Sequence, residues 1–376
     1  IYPNRNWRIT MANQAQQMYA LDLDQCVDLI AAIGHLRTVL LQGDMGNGKS
    51  STLPTLARRL PKHTPLYFDL TTKVDAGDLA MPKFKDLDGS DYFSHATAED
   101  LGVHLQNTPI ILMLDEIGKN KSLVNPLLRL MQERKFGTYT LHPDSIVYAT
   151  TNKSSEGVGD FLPPHARNRM VIVQVRKTEA MKWIEWGLDN DIDPVVLGWV
   201  KDNPQVAQTF EEVPDPQENR MIYHPKDPSR QSFWTWRSGH AASDILKQRD
   251  VLDSQTLTAA LMGAVGDEAA MQLMAFVNIA TQLPTLESIK KDPANALIPT
   301  SAAAICMVVY RTLSTIERDW MDAWMTYMER LDAEAQGLFA NGVRSAKYSK
   351  QPIVMQNKKF TIWAAANNYM FQADVK

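Results

Sequence analysis

The sequence predicts an α/β fold, a doubly wound parallel sheet followed by a helical second region. Three observations carry this expectation. Short apolar runs alternate with segments of helical spacing over the first 177 residues, the pattern of strand–helix–strand units. One run, Pro109–Leu114 (PIILML), is apolar at nearly every position, as expected of a strand buried on both faces. Strand signals then fade, and eight of the nine tryptophans lie beyond residue 180.

The elements follow in order. Asp22 to Ile33 carries Leu23, Cys26, Val27 and Ile30 at helical spacing. Thr38–Gln42 is a short apolar run that ends at a glycine-rich loop and reads as a buried strand. Lys49 to Leu60 reads as a helix that tolerates Pro54 near its start. Pro65–Leu70 reads as a strand, and the polar stretch after it, with Gly77, Pro82 and Gly89, shows little periodicity. Leu123–Glu133 is a helix, and Ser145–Thr151 and Val171–Val175 are further strands. Beyond them, Asn203–Arg230 is rich in Pro, Asp and Gln and reads as a loop or linker. Leu257–Leu283, Ser301–Met328 and Asp332–Asn341 read as helical. The tryptophans there read as packing residues.

Composition sets the outer bounds. A chain of 376 residues, 44% hydrophobic and 22% charged, has ample material for cores in two or three domains. The net charge of -4 lacks the basic footprint of a dedicated nucleic-acid binder, so nucleic acid is not an expected partner. Cys26 and Cys306 form no disulfide framework or metal spacing, which suits a reduced, cytoplasmic setting. No run approaches the ~20 apolar residues of a membrane span. Met11-Ala12-Asn13 reads as a natural start, so residues 1–14 are expected to be an N-terminal extension, with 1–10 added ahead of it.

The segment Gly43-Asp44-Met45-Gly46-Asn47-Gly48-Lys49-Ser50 fits G-x-x-x-x-G-K-[ST] in full. Glycines let backbone N–H groups curl round an anion, and the helix that follows offers its open N-terminus. Lys49 supplies a point charge for the β- and γ-phosphates, and Ser50 a hydroxyl for Mg²⁺. Ser51 is taken with the loop as a nucleotide-binding residue. The strand 109–114 runs into Asp115-Glu116. Asp115 is assigned to the metal shell and Glu116 to the attacking water. Asn152, at the end of the next strand, is placed to orient that water. Arg167 and Arg169, just before the strand 171–175, can reach a neighbouring subunit's nucleotide in a ring. Arg237 opens a helix in the second region and can touch the γ-phosphate. The eight histidines show no metal spacing.

With these motifs in line, the chain resembles the MoxR-like branch of the AAA+ ATPases over about residues 20–310. The phosphate loop, the Asp115-Glu116 strand, Leu127-Leu128-Arg129-Leu130-Met131-Gln132-Glu133-Arg134, Ala149-Thr150-Thr151-Asn152, Leu162 to Arg169, and Thr235-Trp236-Arg237-Ser238-Gly239 match family patterns in turn. The register favours Arg169 as the arginine finger over Arg167. Two departures stand out: Gly118-Lys119 where the family often has Asn-Arg, and Trp236 and Gly239 in place of Pro and Trp.

The resemblance implies a nucleotide core over 15–177, a helical lid with linker over 178–310 and a C-terminal helical extension over 311–376. It implies ATP and Mg²⁺ at the boundaries of a homo-oligomeric ring, usually a hexamer. It also implies a protein client, often a partner with a von Willebrand A domain. An insert within the second helix would lie in Val74–His95 and a hairpin in Phe136–Asp144, with Phe84, Tyr92 and Phe93 as client-contact candidates. The alternatives are a nucleic-acid motor or loader and a nucleotide-dependent assembly scaffold.

Overall fold

In a computed structural model of the chain, the described residues are 19–87, 90–153 and 162–371. The expected extension over 1–14 and Phe161 of the arginine segment lie outside them. The chain divides into two compact units, residues 1–178 and 179–376.

The first unit is built on a five-stranded, all-parallel sheet. Its strands are β1 (Thr38–Gln42), β2 (Thr64–Asp69), β5 (Ile110–Asp115), β8 (Ile146–Thr151) and β9 (Met170–Gln174), in the spatial order β2-β5-β8-β1-β9. Alternate residues of one strand bury against opposite layers. Leu112 and Leu114 of β5, with Val147 and Ala149 of β8, pack on helix α3 (Lys121–Glu133) through Leu123, Leu127 and Leu130. Ile111 and Met113, with Val39, Leu41 and Tyr148, pack on α1 (Leu23–Ile33) and α2 (Thr52–Arg59) through Val27, Ile30, Leu53 and Leu56. The expected doubly wound α/β sheet is therefore present. Since both faces are covered, the strands read as continuous apolar runs.

Local capping fixes the helices. Asp22 and Gln25 form a reciprocal capping box at the start of α1. Arg134 ends α3 in a left-handed turn at φ 59° and carries its guanidinium inward. It donates to Thr38 Oγ1 at 3.0 Å, to Gly34 O at 2.7 Å and to Met131 O. Burial, reinforced by the nearby Arg37, lowers its pKa to about 10.

Two features of this unit differ from expectation. No α-helix lies between β2 and β5 among the described residues, so the insert is not within a second helix. Two short 3-10 turns lead instead to a hairpin of β3 (Ala80–Leu87) and β4 (Ser90–Thr97). Its Phe84, Tyr92 and Phe93 are exposed, with Phe84 opposite Phe93. With water on both faces, the hairpin lacks the apolar alternation by which a half-buried strand is read. A second hairpin, β6 (Lys135–Phe136) and β7 (Tyr139–Thr140), adjoins it, and the Tyr139 hydroxyl donates to His95 O at 3.1 Å.

The second unit is helical. One continuous core runs from Ala180 to Trp363 and includes helices on both sides of residue 310. The expected helical stretch 257–283 is two helices, Ser254–Val265 and Asp267–Ala280. They break at Gly266, whose φ of 85° and 2.7 Å approach to Ser232 O would exclude a side chain. Likewise 301–328 divides into Ala302–Thr315 and Met321–Met328. The 203–230 segment is an ordered loop tied by Arg230, which donates to the carbonyls of Asn219 and Ile222.

Five tryptophans gather around the helix Trp236–Leu246: Trp183 stacks on Trp236 at 5.0 Å, Trp199 lies 4.6 Å from Trp234, and Trp186 flanks Trp183 at 6.3 Å. This explains the departure at 236 and 239. A Cβ on Gly239 would meet the Trp234 ring at 2.7 Å, while Trp236 fills the place beside Trp183. Gly239→Ala is expected to destabilise the protein by about 1–3 kcal/mol through overpacking, read as a lower denaturation midpoint.

Candidate active site

Strands of a parallel sheet all end on one edge, and crevices form there where the strand order reverses. Here β1 lies between β8 and β9, while β2 and β5 continue on the β8 side. The loop after β1 and the residues ending β5 and β8 therefore meet at that edge.

The loop Gly43–Ser50 leaves β1 beside Val175. A Cβ on Gly43 would stand 2.9 Å from the Val175 Cβ, so only glycine fits without a shift. Gly48 adopts φ 80°, the left-handed region, and hands the chain to a 3-10 turn, Lys49–Ser51, that runs into α2. Asn47 is buried; its Nδ2 donates to Arg176 O at 3.0 Å and its Oδ1 accepts from Thr178 N at 3.0 Å. These bonds pin the loop to the chain segment after β9. The Thr52 hydroxyl donates to Lys49 O at 2.6 Å and meets the Tyr148 hydroxyl at 3.1 Å, fixing the first turn of α2 against β8. Met45 and Ser50 lie partly open on the loop, and the Ser51 hydroxyl donates to Gly48 O at 2.6 Å.

Lys49 is buried inside this loop. Its Nζ donates to Gly43 O at 2.8 Å, to Asp44 O at 2.9 Å and to Asn152 Oδ1 at 2.8 Å. Asn152 in turn donates from Nδ2 to Glu116 Oε1 at 2.8 Å. A continuous polar chain thus joins the cation of the loop to the carboxylate after β5. The other Glu116 oxygen, Oε2, is buried without a hydrogen bond, and Lys119 Nζ stands 3.7 Å from it. Glu116 also takes a left-handed φ of 55°, which costs a non-glycine residue about 1–3 kcal/mol and is typical of functional positions. Lys119 thus partners the carboxylate.

Asp115 is held firmly beside it. The Tyr67 hydroxyl donates to Oδ2 at 2.6 Å, and the Thr150 hydroxyl donates to Oδ1. Each carboxylate oxygen keeps a further lone pair for a metal-bound water. Asp115 and the Ser50 hydroxyl are hard oxygen donors of the kind Mg²⁺ takes when phosphates and waters fill the rest of its octahedron. Among the described residues no three His, Cys, Asp or Glu side chains converge as an all-protein metal cage. The residues present fit a nucleotide-borne Mg²⁺, with Lys49 and the glycine loop around the phosphates.

Sequence reasoning missed one ion pair. Asp44 is nearly buried within the phosphate loop, and Lys153, the residue after Asn152, brings Nζ to 3.0 Å from its Oδ1. The acid and its partner lie on separate elements that only the folded sheet brings together.

The two arginines lie elsewhere. Arg169 immediately precedes β9, whose Met170 pairs with Thr38 and whose Gln174 pairs with Gln42. Arg169 is therefore at the opposite sheet edge from the loop after Gln42. Five residues at about 3.3 Å each separate the edges by about 16 Å, more than an arginine side chain spans. Arg169 donates from Nε to Gln132 Oε1 and from Nη1 to His165 O, both at 2.7 Å. Arg167, at the end of α4 (Pro164–Arg167), is exposed, and its side chain makes no hydrogen bond among the described residues. Arg237 belongs to the second unit, exposed at the second position of the helix Trp236–Leu246.

Loop, acids and asparagine have the architecture of a phosphate-binding site at the switch point of a doubly wound sheet. No protein-family model matches the chain, and no curated protein matches it. Among solved structures it is similar to the Holliday junction branch migration motor RuvB of Thermotoga maritima, at 15% identity and TM-score 0.34, covering 80% of this chain and 85% of that one. It is also similar to NtrX of Brucella abortus in complex with ADP, at 13% identity and TM-score 0.33, covering 72% and 71%. Among the described residues no helix is long and apolar enough to cross a membrane.

Proposed function

We propose that the chain is a ring-forming AAA+ ATPase of MoxR-like type that couples Mg-ATP hydrolysis to remodelling or activation of a protein client. The single observation that carries this reading is the Lys49–Asn152–Glu116 chain beside Asp115 at the carboxyl edge of the sheet. Lys49 and the glycine loop hold the phosphates. Ser50 and Asp115 hold Mg²⁺, which would neutralise charge on the β- and γ-oxygens. Glu116 would accept a hydrogen bond from the attacking water at Oε2, the oxygen without a protein hydrogen bond, and Asn152 keeps the carboxylate in place. Since Arg169 stands at the far edge, its part is in trans, at the phosphates of a second copy of this chain in a ring. A hexamer is the ring we propose. Arg237 sits in the first turn of a helix, where the dipole disfavours a cation; that position supports a role at an anion. The exposed aromatics of the β3–β4 hairpin are the proposed client contacts, and a von Willebrand A domain protein is the proposed client class.

Lys49→Ala tests the binding half. Removing a buried, hydrogen-bonded cation from its anion typically costs about 2–5 kcal/mol. ATP affinity, measured by calorimetry or a fluorescent analogue, is expected to fall at least about 30-fold. Wild-type affinity in that variant would contradict the phosphate role.

The Asp44–Lys153 pair gives a second prediction. A carboxylate inside a phosphate loop repels the ligand unless it is neutralised. Lys153→Ala should weaken ATP binding on the order of ten-fold, about 1.4 kcal/mol. Asp44→Asn in that background should recover most of the loss, measured in the same titration.

A further inference from the structure

The far edge of the sheet carries an open cleft of about 730 Å³, lined in part by Leu36, Arg37, Gln132, His165 and Arg169. Arg169 does not float there. Its two guanidinium bonds use acceptors that both lead to α3. Gln132, in the last turn of α3, accepts from Nε directly. His165 offers its carbonyl to Nη1, and its ring Nε2 lies 3.1 Å from Asn125 Oδ1, also on α3. A free arginine side chain samples many rotamers at a cost of about 1.5–2 kcal/mol to fix. With one bond to α3 itself and one to His165, whose ring meets α3, much of that cost is met before a neighbour arrives.

We infer that Gln132 is a positioning residue that aims Arg169 at the phosphates of an adjoining copy, and that α3 is the strut that sets the aim. This rests on the trans role given to Arg169 above. The helix begins at Lys121, five residues after Glu116, so the strut joins the chain's own water-holding carboxylate to the arginine it lends. Misplacement of such a group by about 1 Å can cost two orders of magnitude in rate.

Gln132 is solvent-exposed on its helix and alanine is a good helix former, so Gln132→Ala should fold as wild type does. Its kcat for ATP is expected to fall about ten-fold or more, with KM, assembly and thermal midpoint unchanged. Gln132→Glu keeps an acceptor at the same place and should hold kcat within about three-fold. In mixed assemblies, Lys49→Ala subunits should rescue Arg169→Ala subunits, whereas Lys49→Ala subunits that also carry Gln132→Ala should rescue them about ten-fold less. Wild-type kcat in Gln132→Ala, beside a crippled Arg169→Ala, would overturn the positioning role alone. Wild-type kcat in Arg169→Ala would overturn the trans reading and this inference together.

Discussion

Glu116→Gln should cut ATP turnover by about 10²–10⁴-fold while leaving ATP affinity close to wild type, because a positioned proton acceptor contributes that much to rate. The substitution conserves shape. Asn152 Nδ2 can still donate to the new side-chain oxygen, so the chain from Lys49 through Asn152 keeps its hydrogen bonds. What is lost is the charge at the buried oxygen that has no hydrogen bond, and with it the attraction of the Lys119 ammonium. A coupled turnover assay beside a nucleotide titration reads both effects. Turnover at the wild-type rate would assign the water to another group.

Arg169→Ala should lower kcat by about 10³–10⁵-fold with little change in ATP affinity, the range known for arginines that stabilise the transition state of phosphoryl transfer. The loss belongs to kcat because the arginine stands about 16 Å from its own chain's loop and so adds nothing to that chain's ground-state binding. Arg167→Ala should leave kcat within about three-fold. Its side chain has no hydrogen bond among the described residues to hold it in a reacting geometry. Equal losses in the two variants would erase the distinction drawn between them.

Much of this site is legible before folding, for physical reasons. Gly43 and Gly48 are dictated by a close approach to Val175 and by a left-handed turn, demands that glycine meets without strain. Strands β5 and β8 announce themselves because both faces are buried, so their runs begin apolar and turn polar only towards the ends that reach the site. Acids and amide at strand ends are then placed by the strands they follow. The β3–β4 hairpin is illegible for the opposite reason, since neither face is buried and cross-strand pairs such as Phe84 with Phe93 leave no periodic trace. Lys153 with Asp44, Gln132 with Arg169 and Arg230 with the Asn219 carbonyl depend on which elements adjoin in three dimensions. The break at Gly266 likewise depends on Ser232 O, 34 residues earlier, sitting where a side chain would go. Glycine in a helical run looks tolerable from the run alone.

In the proposed ring, ATP is hydrolysed between copies of this chain, with the loop of one and the arginine of the next. Mixing Arg169→Ala and Lys49→Ala subunits and measuring ATP turnover tests it most directly. Each variant alone should be nearly inactive, and the co-assembled mixture should recover a substantial fraction of wild-type turnover, because some boundaries then pair an intact loop with an intact arginine. A mixture that co-assembles and stays as inactive as its parts would contradict hydrolysis between copies.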